Sequence, residues 1–391
     1  MEWINEKAKT LKQGAIRAMF DRANAMTGVI SLGIGEPDMP TPKLVCEAAK
    51  EALDKGITHY TPNAGTLAFR QAIAEKSYLK ELHYDPNTEI IITNGGMGAL
   101  SLLFLVLLNK GDEILIQDPQ WLNYVAQVAY CDGTAVRVPT DLEHNFEMQP
   151  EAIEKLITPH TKALMINTPN NPTGSVMTRE TMAKIAKLAV KHDLLVISDD
   201  VYNTLLYAGE EAPCIASFPG MKERTVIVNS FSKSYAMTGW RVGYCAANKT
   251  LAKIMSNFLS HSTGAPSTIS QWASVEALTG PQEGIEAMRL AFLERRDYIV
   301  KRINSIPGVS CIVPNGAFYV MMNIEQLIGK TLGGKLIEND DDFAVALLEK
   351  ALVAVVPCSG FGMKNFVRWS YAASMENIEK GLDRLEKFVT E

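Results

Sequence analysis

Leu194-Leu195-Val196-Ile197-Ser198-Asp199-Asp200-Val201-Tyr202 and Thr225-Val226-Ile227-Val228-Asn229-Ser230-Phe231-Ser232-Lys233 are the two stretches that decide the fold. Each opens on an almost unbroken run of Val, Ile and Leu and closes on polar residues. A strand that is apolar on both faces must be covered on both, as in a mostly parallel sheet lying between helices. Glu89–Thr93, Glu113–Gln117, Val136–Pro139 and Ala163–Asn167 are further runs of this kind. Helical spacing over Gly98–Leu108 and Met182–His192 separates some of them. Strand, helix and strand in series imply right-handed crossovers and an α/β domain.

Towards the C-terminus the pattern changes. A long polar helix over Glu286–Asn304 leads to strands at Ser310–Val313 and Ala317–Met322, then a helix near Asp342–Lys350. Val353–Val356 and Phe366–Ser370 read as short strands, and a charged helix runs from Met375. This mixture predicts a smaller α+β domain built from both chain ends, residues 1–44 and 285–391, beside a large domain of residues 45–284. The acidic run Glu338-Asn339-Asp340-Asp341-Asp342 reads as a solvated turn with a helix N-cap, not a metal site.

Composition narrows the function. The 391 residues are 47% apolar and 21% charged, ordinary for a globular protein. Lys and Arg number 38 against 44 Asp and Glu, a net charge of −6, which argues against nucleic acid as partner. The six cysteines (Cys46, Cys131, Cys214, Cys245, Cys311 and Cys358) form no C-x-x-C pair, so reduced thiols in a cytoplasmic protein are expected. Met1–Gln13 is charged throughout, so no secretory leader is expected. The longest uncharged apolar run, Ala99–Leu108, is half the ~20 residues that a membrane span needs.

In an open α/β sheet, ligands gather at the carboxyl ends of the strands. Here those ends carry Asp199 with Tyr202, Ser230 to Lys233, Asn170-Asn171-Pro172-Thr173-Gly174, and Asn94-Gly95-Gly96. Taken singly, each is an ordinary turn or cap. Ser230-x-x-Lys233 also matches a penicillin-recognising serine enzyme, but the K-T-G strand of that family is missing. Gly33-Ile34-Gly35 has no third glycine of a dinucleotide fingerprint, and Ile324 stands where a P-loop ending in Gly329-Lys330-Thr331 needs glycine. What counts is the co-occurrence of an acid, an amide, a lysine flanked by serines and the downstream Arg241. A lysine for an aldehyde, an acid for a pyridine nitrogen and donors for a phosphate are what pyridoxal phosphate requires.

The stretch from Ser230 through Lys233 to Gly239-Trp240-Arg241-Val242-Gly243 resembles the cofactor-lysine signature of fold-type I pyridoxal-phosphate-dependent aminotransferases of classes I and II. Ser198-Asp199-Asp200-Val201-Tyr202, Asn171-Pro172-Thr173-Gly174, Tyr60-Thr61-Pro62 and Phe366-Val367-Arg368-Trp369-Ser370-Tyr371 are similar to that family too, in its order. The likeness runs from about Ile30 to Ala373 and points to its bacterial aspartate and aromatic members.

The resemblance implies roles. Lys233 matches the lysine that carries the cofactor aldehyde and later moves a proton, and Asp199 the acid facing the pyridine nitrogen. Asn171 and Tyr202 match the pair on the ring oxygen, and Trp121 the aromatic on one ring face, with Val201 covering the other. Gly95, Gly96, Met97, Ser230, Ser232 and Arg241 match the phosphate site. Tyr60 matches a residue reaching that phosphate from the second subunit of a homodimer. Arg368 matches the arginine on the substrate carboxylate, and Gly35 lies against the substrate. Met97 departs from the family, whose aspartate-type members place a lysine after the two glycines. An apolar side chain there favours aromatic, apolar or broad donors over dedicated aspartate. The expected reaction moves an amino group between an L-amino acid and a 2-oxo acid, such as 2-oxoglutarate, by a ping-pong mechanism. A carbon–sulfur β-lyase on the same scaffold is the alternative.

Overall fold

The structure is a computed structural model and describes residues 3–10, 15–207 and 213–391, so Met1, Glu2 and residues 11–14 of the charged N-terminal stretch lie outside the described residues. Seven strands make the central sheet: β1 (Ile90–Thr93), β2 (Glu113–Asp118), β3 (Thr134–Pro139), β4 (Thr161–Asn167), β5 (Leu195–Asp199), β6 (Thr225–Ser230) and β7 (Gly243–Ala246). Their order is β1-β7-β6-β5-β4-β2-β3. Strands β2 to β6 pair in parallel, whereas β7 runs against both its neighbours.

The sequence reading has no strand at β7. Gly243-Tyr244-Cys245-Ala246 is short and rich in small residues, and only the sheet reveals it. Its direction follows from chain length, because a parallel return needs a crossover of roughly a dozen residues or more, with its own helix. Between Ser230 and Gly243 the chain forms only short helical turns, Phe231–Ser234 and Thr238–Trp240.

Alternation along the strands sorts the core into layers. Ile91, Val226 and Val228 pack with Ala99 and Leu103 of α1 (Gly95–Leu107). Ile90, Ile92 and Ile227 turn the other way, onto Phe69 and Ile73. Helix α2 (Leu122–Tyr130) follows β2, and α3 (Arg179–Lys191) covers Leu164, Ile166 and Val196 with Met182, Ile185 and Ala189. The sequence pattern starts α1 at Gly98. The helix in fact begins at Gly95, so Gly95, Gly96 and Met97 occupy its first turn.

A second sheet, antiparallel, has the order β9 (Val356–Pro357), β10 (Phe366–Ser370), β8 (Tyr319–Asn323). It shares a core with α4 (Glu283–Ile303), α5 (Asp340–Ala351) and α6 (Met375–Thr390), through Phe292, Ile303, Leu347 and Leu382. Ile30 and Leu32 from near the N-terminus enter this core, and Ile30–Ser31 pairs in parallel with Val353–Ala354. Asn339 caps α5 as the sequence suggests, its Oδ1 accepting from the N–H of Asp342 at 2.9 Å. Ser310–Val313 is not a strand; only a bridge from Ser310 to Asn323 forms. The Asn304 side chain takes both the N–H of Cys311 (2.9 Å) and its carbonyl (3.1 Å), leaving that residue nothing for a ladder. Among the described residues no helix is long and apolar enough to cross a membrane.

Gly243 fixes how closely β7 approaches the start of α1. A Cβ there would stand 2.7 Å from the Asn229 carbonyl oxygen and 2.8 Å from the Gly95 carbonyl carbon, both rigid backbone. Gly243→Ala is expected to cost about 1–3 kcal/mol by overpacking, read as a lower urea midpoint. An unchanged midpoint would show that the approach is slack.

Candidate active site

A cavity of about 550 Å³ opens at the carboxyl ends of β4, β5 and β6, and residues of β8, β9 and β10 form its opposite wall. Of the residues singled out from sequence, all but Gly95 and Tyr60 line it. Gly95 lies just behind, and Tyr60 is fully exposed in a separate groove shared with Trp272.

Lys233 projects into this space from the short helix after β6. Its Nζ donates to the carbonyl of Gly35, and among the described residues no carboxylate forms an ion pair with it. Burial pulls its amine down to about 8; the positive charges of Arg368 and Arg241 add to the fall, and Glu36 opposes it. Such a lysine is a neutral nucleophile and base at a pH where an exposed one is still an ammonium.

Asp199 ends β5 and is buried. Its Oδ2 accepts from the Tyr124 hydroxyl at 2.7 Å and its Oδ1 from the N–H of Val201 at 3.3 Å. Burial pushes its carboxyl up to about 6, while the Tyr124 bond opposes the rise. A cationic N–H placed opposite would make it an anion again. Asn167, at the end of β4, donates to the Asp199 carbonyl at 3.0 Å and accepts from the N–H of Asn171 at 2.9 Å. It thereby ties two neighbouring strand ends together.

The other end of the cavity is built for an anion. Helix α1 starts without a side-chain cap, so the N–H groups of its first turn have no local acceptor. Gly95 has φ +70°, and a Cβ on it would stand 2.9 Å from Nη2 of Arg241. Only glycine lets the guanidinium lie against this turn. Ser230 and Ser232 add hydroxyls to the cavity wall. Arg241 donates to the Thr238 carbonyl at 2.8 Å and makes no ion pair among the described residues. An uncapped helix start, two hydroxyls and an uncompensated guanidinium together suit a phosphate group.

Arg368, on β10, is 1% exposed. It donates to Asn171 Oδ1 at 2.8 Å and to the Gly33 carbonyl at 2.7 Å, while its Nε–H has no partner among the described residues. A buried guanidinium with one orphaned N–H and no counter-ion is costly unless an anionic ligand joins it. Trp121 stands at the start of α2 with its ring edge-on to Tyr124 at 5.2 Å, and Val201 also lines the cavity. Met97 is 41% exposed at the rim, where its sulfur accepts from Asn123 Nδ2 at 3.7 Å.

Sequence reasoning missed Tyr124, Asn167 and Tyr319, which also line the cavity. Asn167 could have been found as the polar end of an apolar strand. Tyr124 sits one helical turn after Trp121, a weak signal. Tyr319 lies in an apolar run and carried none.

The chain matches the family model "Aminotransferase class I and II" over residues 27–385. It is 41% identical over 394 residues to an aspartate aminotransferase of Bacillus sp. (strain YM-2), covering 99% of each chain. It is 40% identical over 393 residues to aromatic-amino-acid aminotransferase 2 of Thermococcus litoralis, covering 99% of this chain and 98% of that one. The crystal structure of an aspartate aminotransferase from Rhizobium meliloti superposes with a TM-score of 0.95 at 37% identity, covering 99% of this chain and 98% of that one.

The Lys233 environment can be read directly. In protein freed of small carbonyl compounds, acylation of Lys233 followed by mass spectrometry across pH is expected to show a midpoint of about 8. The sign follows from the lowered pKa, since between 8 and the ordinary 10.5 the buried amine is neutral while other lysines are charged. A midpoint near 10.5 would contradict the reading.

Proposed function

The chain belongs to the class I and II aminotransferases and is therefore an enzyme of the transferase class; from that premise we propose that it moves an amino group between an L-amino acid and a 2-oxo acid, 2-oxoglutarate among them, in two alternating half-reactions with pyridoxal 5′-phosphate as cofactor. The observation that carries this reading is Lys233, a buried amine held by a carbonyl at the meeting point of an acid, an anion cradle and an unpaired guanidinium. The relatives reported above are named aminotransferases, and the β-lyase alternative finds no support among them.

The residues present fit the cofactor. Gly95, Gly96, Met97, Ser230, Ser232 and Arg241 would hold its phosphate, and Trp121 and Val201 would flank its ring. Asp199 would face the pyridine nitrogen, with Asn171 and Tyr202 at the ring oxygen. When bound, pyridoxal phosphate supplies an aldehyde for the amino group and a ring that draws electrons from the substrate α-carbon. Arg368 grips the substrate carboxylate, its orphaned Nε–H completing the set of donors, and Gly35 lets the substrate lie close to the backbone. Lys233 Nζ takes the proton from the amino acid Cα and returns it when a 2-oxo acid is aminated. Asp199 would stay ionised opposite a protonated ring nitrogen and so favour the electron-withdrawing form of the cofactor.

The substrate side chain meets Met97 and the apolar side chains of Ile34, Leu122 and Val356. We therefore assign aromatic, apolar or broad donors in preference to aspartate. The exposed Tyr60 and Trp272 share one groove, which supports a homodimer with Tyr60 of the partner subunit at the phosphate. The division into residues 45–284 and residues 1–44 with 285–391 is supported by one core around the central sheet and a second that gathers Ile30, Leu32, Phe292 and Leu382, which Tyr202 and Leu205 join from the large domain. A cytoplasmic location agrees with six cysteines that are all free thiols.

An amino acid alone is expected to change the visible absorbance of the holoenzyme, and 2-oxoglutarate to restore it. Lys233→Ala is expected to slow this exchange by about 10²–10⁴-fold or more. Pyruvate and ammonia from a β-substituted amino acid, without that exchange, would point to the lyase. Phenylalanine or tyrosine is expected to exceed aspartate in kcat/KM by about tenfold. Faster turnover of aspartate would overturn the donor assignment. Arg368→Gln is expected to lower kcat/KM for every substrate by about 10–100-fold through lost charge-assisted hydrogen bonds.

A further inference from the structure

Tyr319 on β8 is 1% exposed and has no role in the function proposed above. In the β8–β10 ladder it faces Ser370, while Arg368 faces Met321, so Tyr319 and Arg368 are diagonal neighbours on one face. The Arg368 guanidinium carbon lies 4.3 Å from the centroid of the Tyr319 ring, with the Phe361 ring at 5.0 Å. The Tyr319 hydroxyl is 2.9 Å from the Tyr202 hydroxyl. It also abuts Gly35, where a Cβ would find no room, and the Gly35 carbonyl holds Lys233. One side chain thus touches the arginine, the tyrosine and the segment that holds the lysine.

We propose that Tyr319 is a positioning residue that couples Arg368 to Tyr202: its ring props the guanidinium, and its hydroxyl donates to the Tyr202 oxygen so that the Tyr202 proton is aimed into the cavity. The inference rests on the functional reading above, in which Arg368 meets the substrate carboxylate and Tyr202 the cofactor ring oxygen. Burial raises both phenols, Tyr202 further than Tyr319, and Arg368, packed on the Tyr319 ring, opposes the rise, which leaves Tyr319 the better donor of the pair. The titratable and charged groups facing Tyr202 are Tyr319, Arg368, Asp199 and Tyr124.

The test uses holoenzyme carrying Tyr319→Phe, Tyr319→Leu, Tyr202→Phe, or both Phe substitutions, with two readouts. The first is calorimetric affinity for 3-phenylpropionate, an unreactive carboxylate. Tyr319→Phe keeps the ring and is expected to bind within about twofold of wild type, while Tyr319→Leu binds about tenfold more weakly. The second is the pH midpoint of the bound cofactor's visible absorbance. Tyr319→Phe is expected to raise it by about 0.5–1 unit, because a weaker donor at the ring oxygen favours the protonated form. The double variant is expected to match Tyr202→Phe alone, since both substitutions break one chain of hydrogen bonds. An unshifted midpoint in Tyr319→Phe, additive shifts in the double variant, or equal affinity in the Leu and Phe proteins would overturn the proposal. Exchange of the visible absorbance at the wild-type rate in Lys233→Ala would instead overturn the functional reading, so the two failures are distinguishable.

Discussion

The burial of the Lys233 amine against a backbone carbonyl is the constraint on which the site depends. Holding a lysine away from water without a carboxylate lowers its affinity for a proton, and the cavity adds Arg241 and Arg368 as further positive charges. Lys233, Arg241 and Arg368 line one space of about 550 Å³ whose wall also holds the acids Glu36 and Asp199, and among the described residues none of the three cations is held in an ion pair. They form an arrangement that awaits anions, namely a phosphate at one end and a carboxylate at the other. The sheet makes this possible because its parallel strands bring their polar ends to one edge, where Asn167 pairs with Asp199 and Ser230 lies two residues beyond Val228, the partner of Asp199 on the next strand.

The acids of the site follow the same logic with opposite sign. Asp199 lies out of water with only the Tyr124 hydroxyl and one backbone N–H to stabilise its charge, so its carboxyl rises to about 6. Asp200, next to it, is directed to the other side of the sheet, where Ser198 and Tyr78 donate to it at 2.6 Å each. Period-two alternation along one strand end therefore separates a carboxylate that faces the cavity from one that anchors the strand.

Much of this was legible in the sequence for a definite reason. The parallel strands are continuous apolar runs, and their polar ends break the pattern abruptly, so Lys233, Asp199, Asn171 and the Gly95-Gly96 pair that opens α1 stand out. The likeness to the aminotransferases extended the reading to Trp121 and Arg368, which the pattern alone does not single out. Strand β7 was hidden because it has only four residues, three of them glycine, cysteine and alanine, and its direction depends on a short connection. The supposed strand at Ser310–Val313 failed because a side chain, Asn304, outcompeted any ladder for the backbone of Cys311. Tyr124 and Tyr319 look like core residues in sequence, and only their hydroxyls, brought to 2.7 Å of Asp199 and 2.9 Å of Tyr202, mark them as parts of the site.

The most direct measurement of the account is chemical trapping. Holoenzyme reduced with borohydride and mapped by peptide mass spectrometry is expected to carry the pyridoxyl mass on Lys233, in the peptide containing Ser230-Phe231-Ser232-Lys233, and on no other lysine. A label on a different lysine, or none on Lys233 in protein that binds the cofactor, would contradict it.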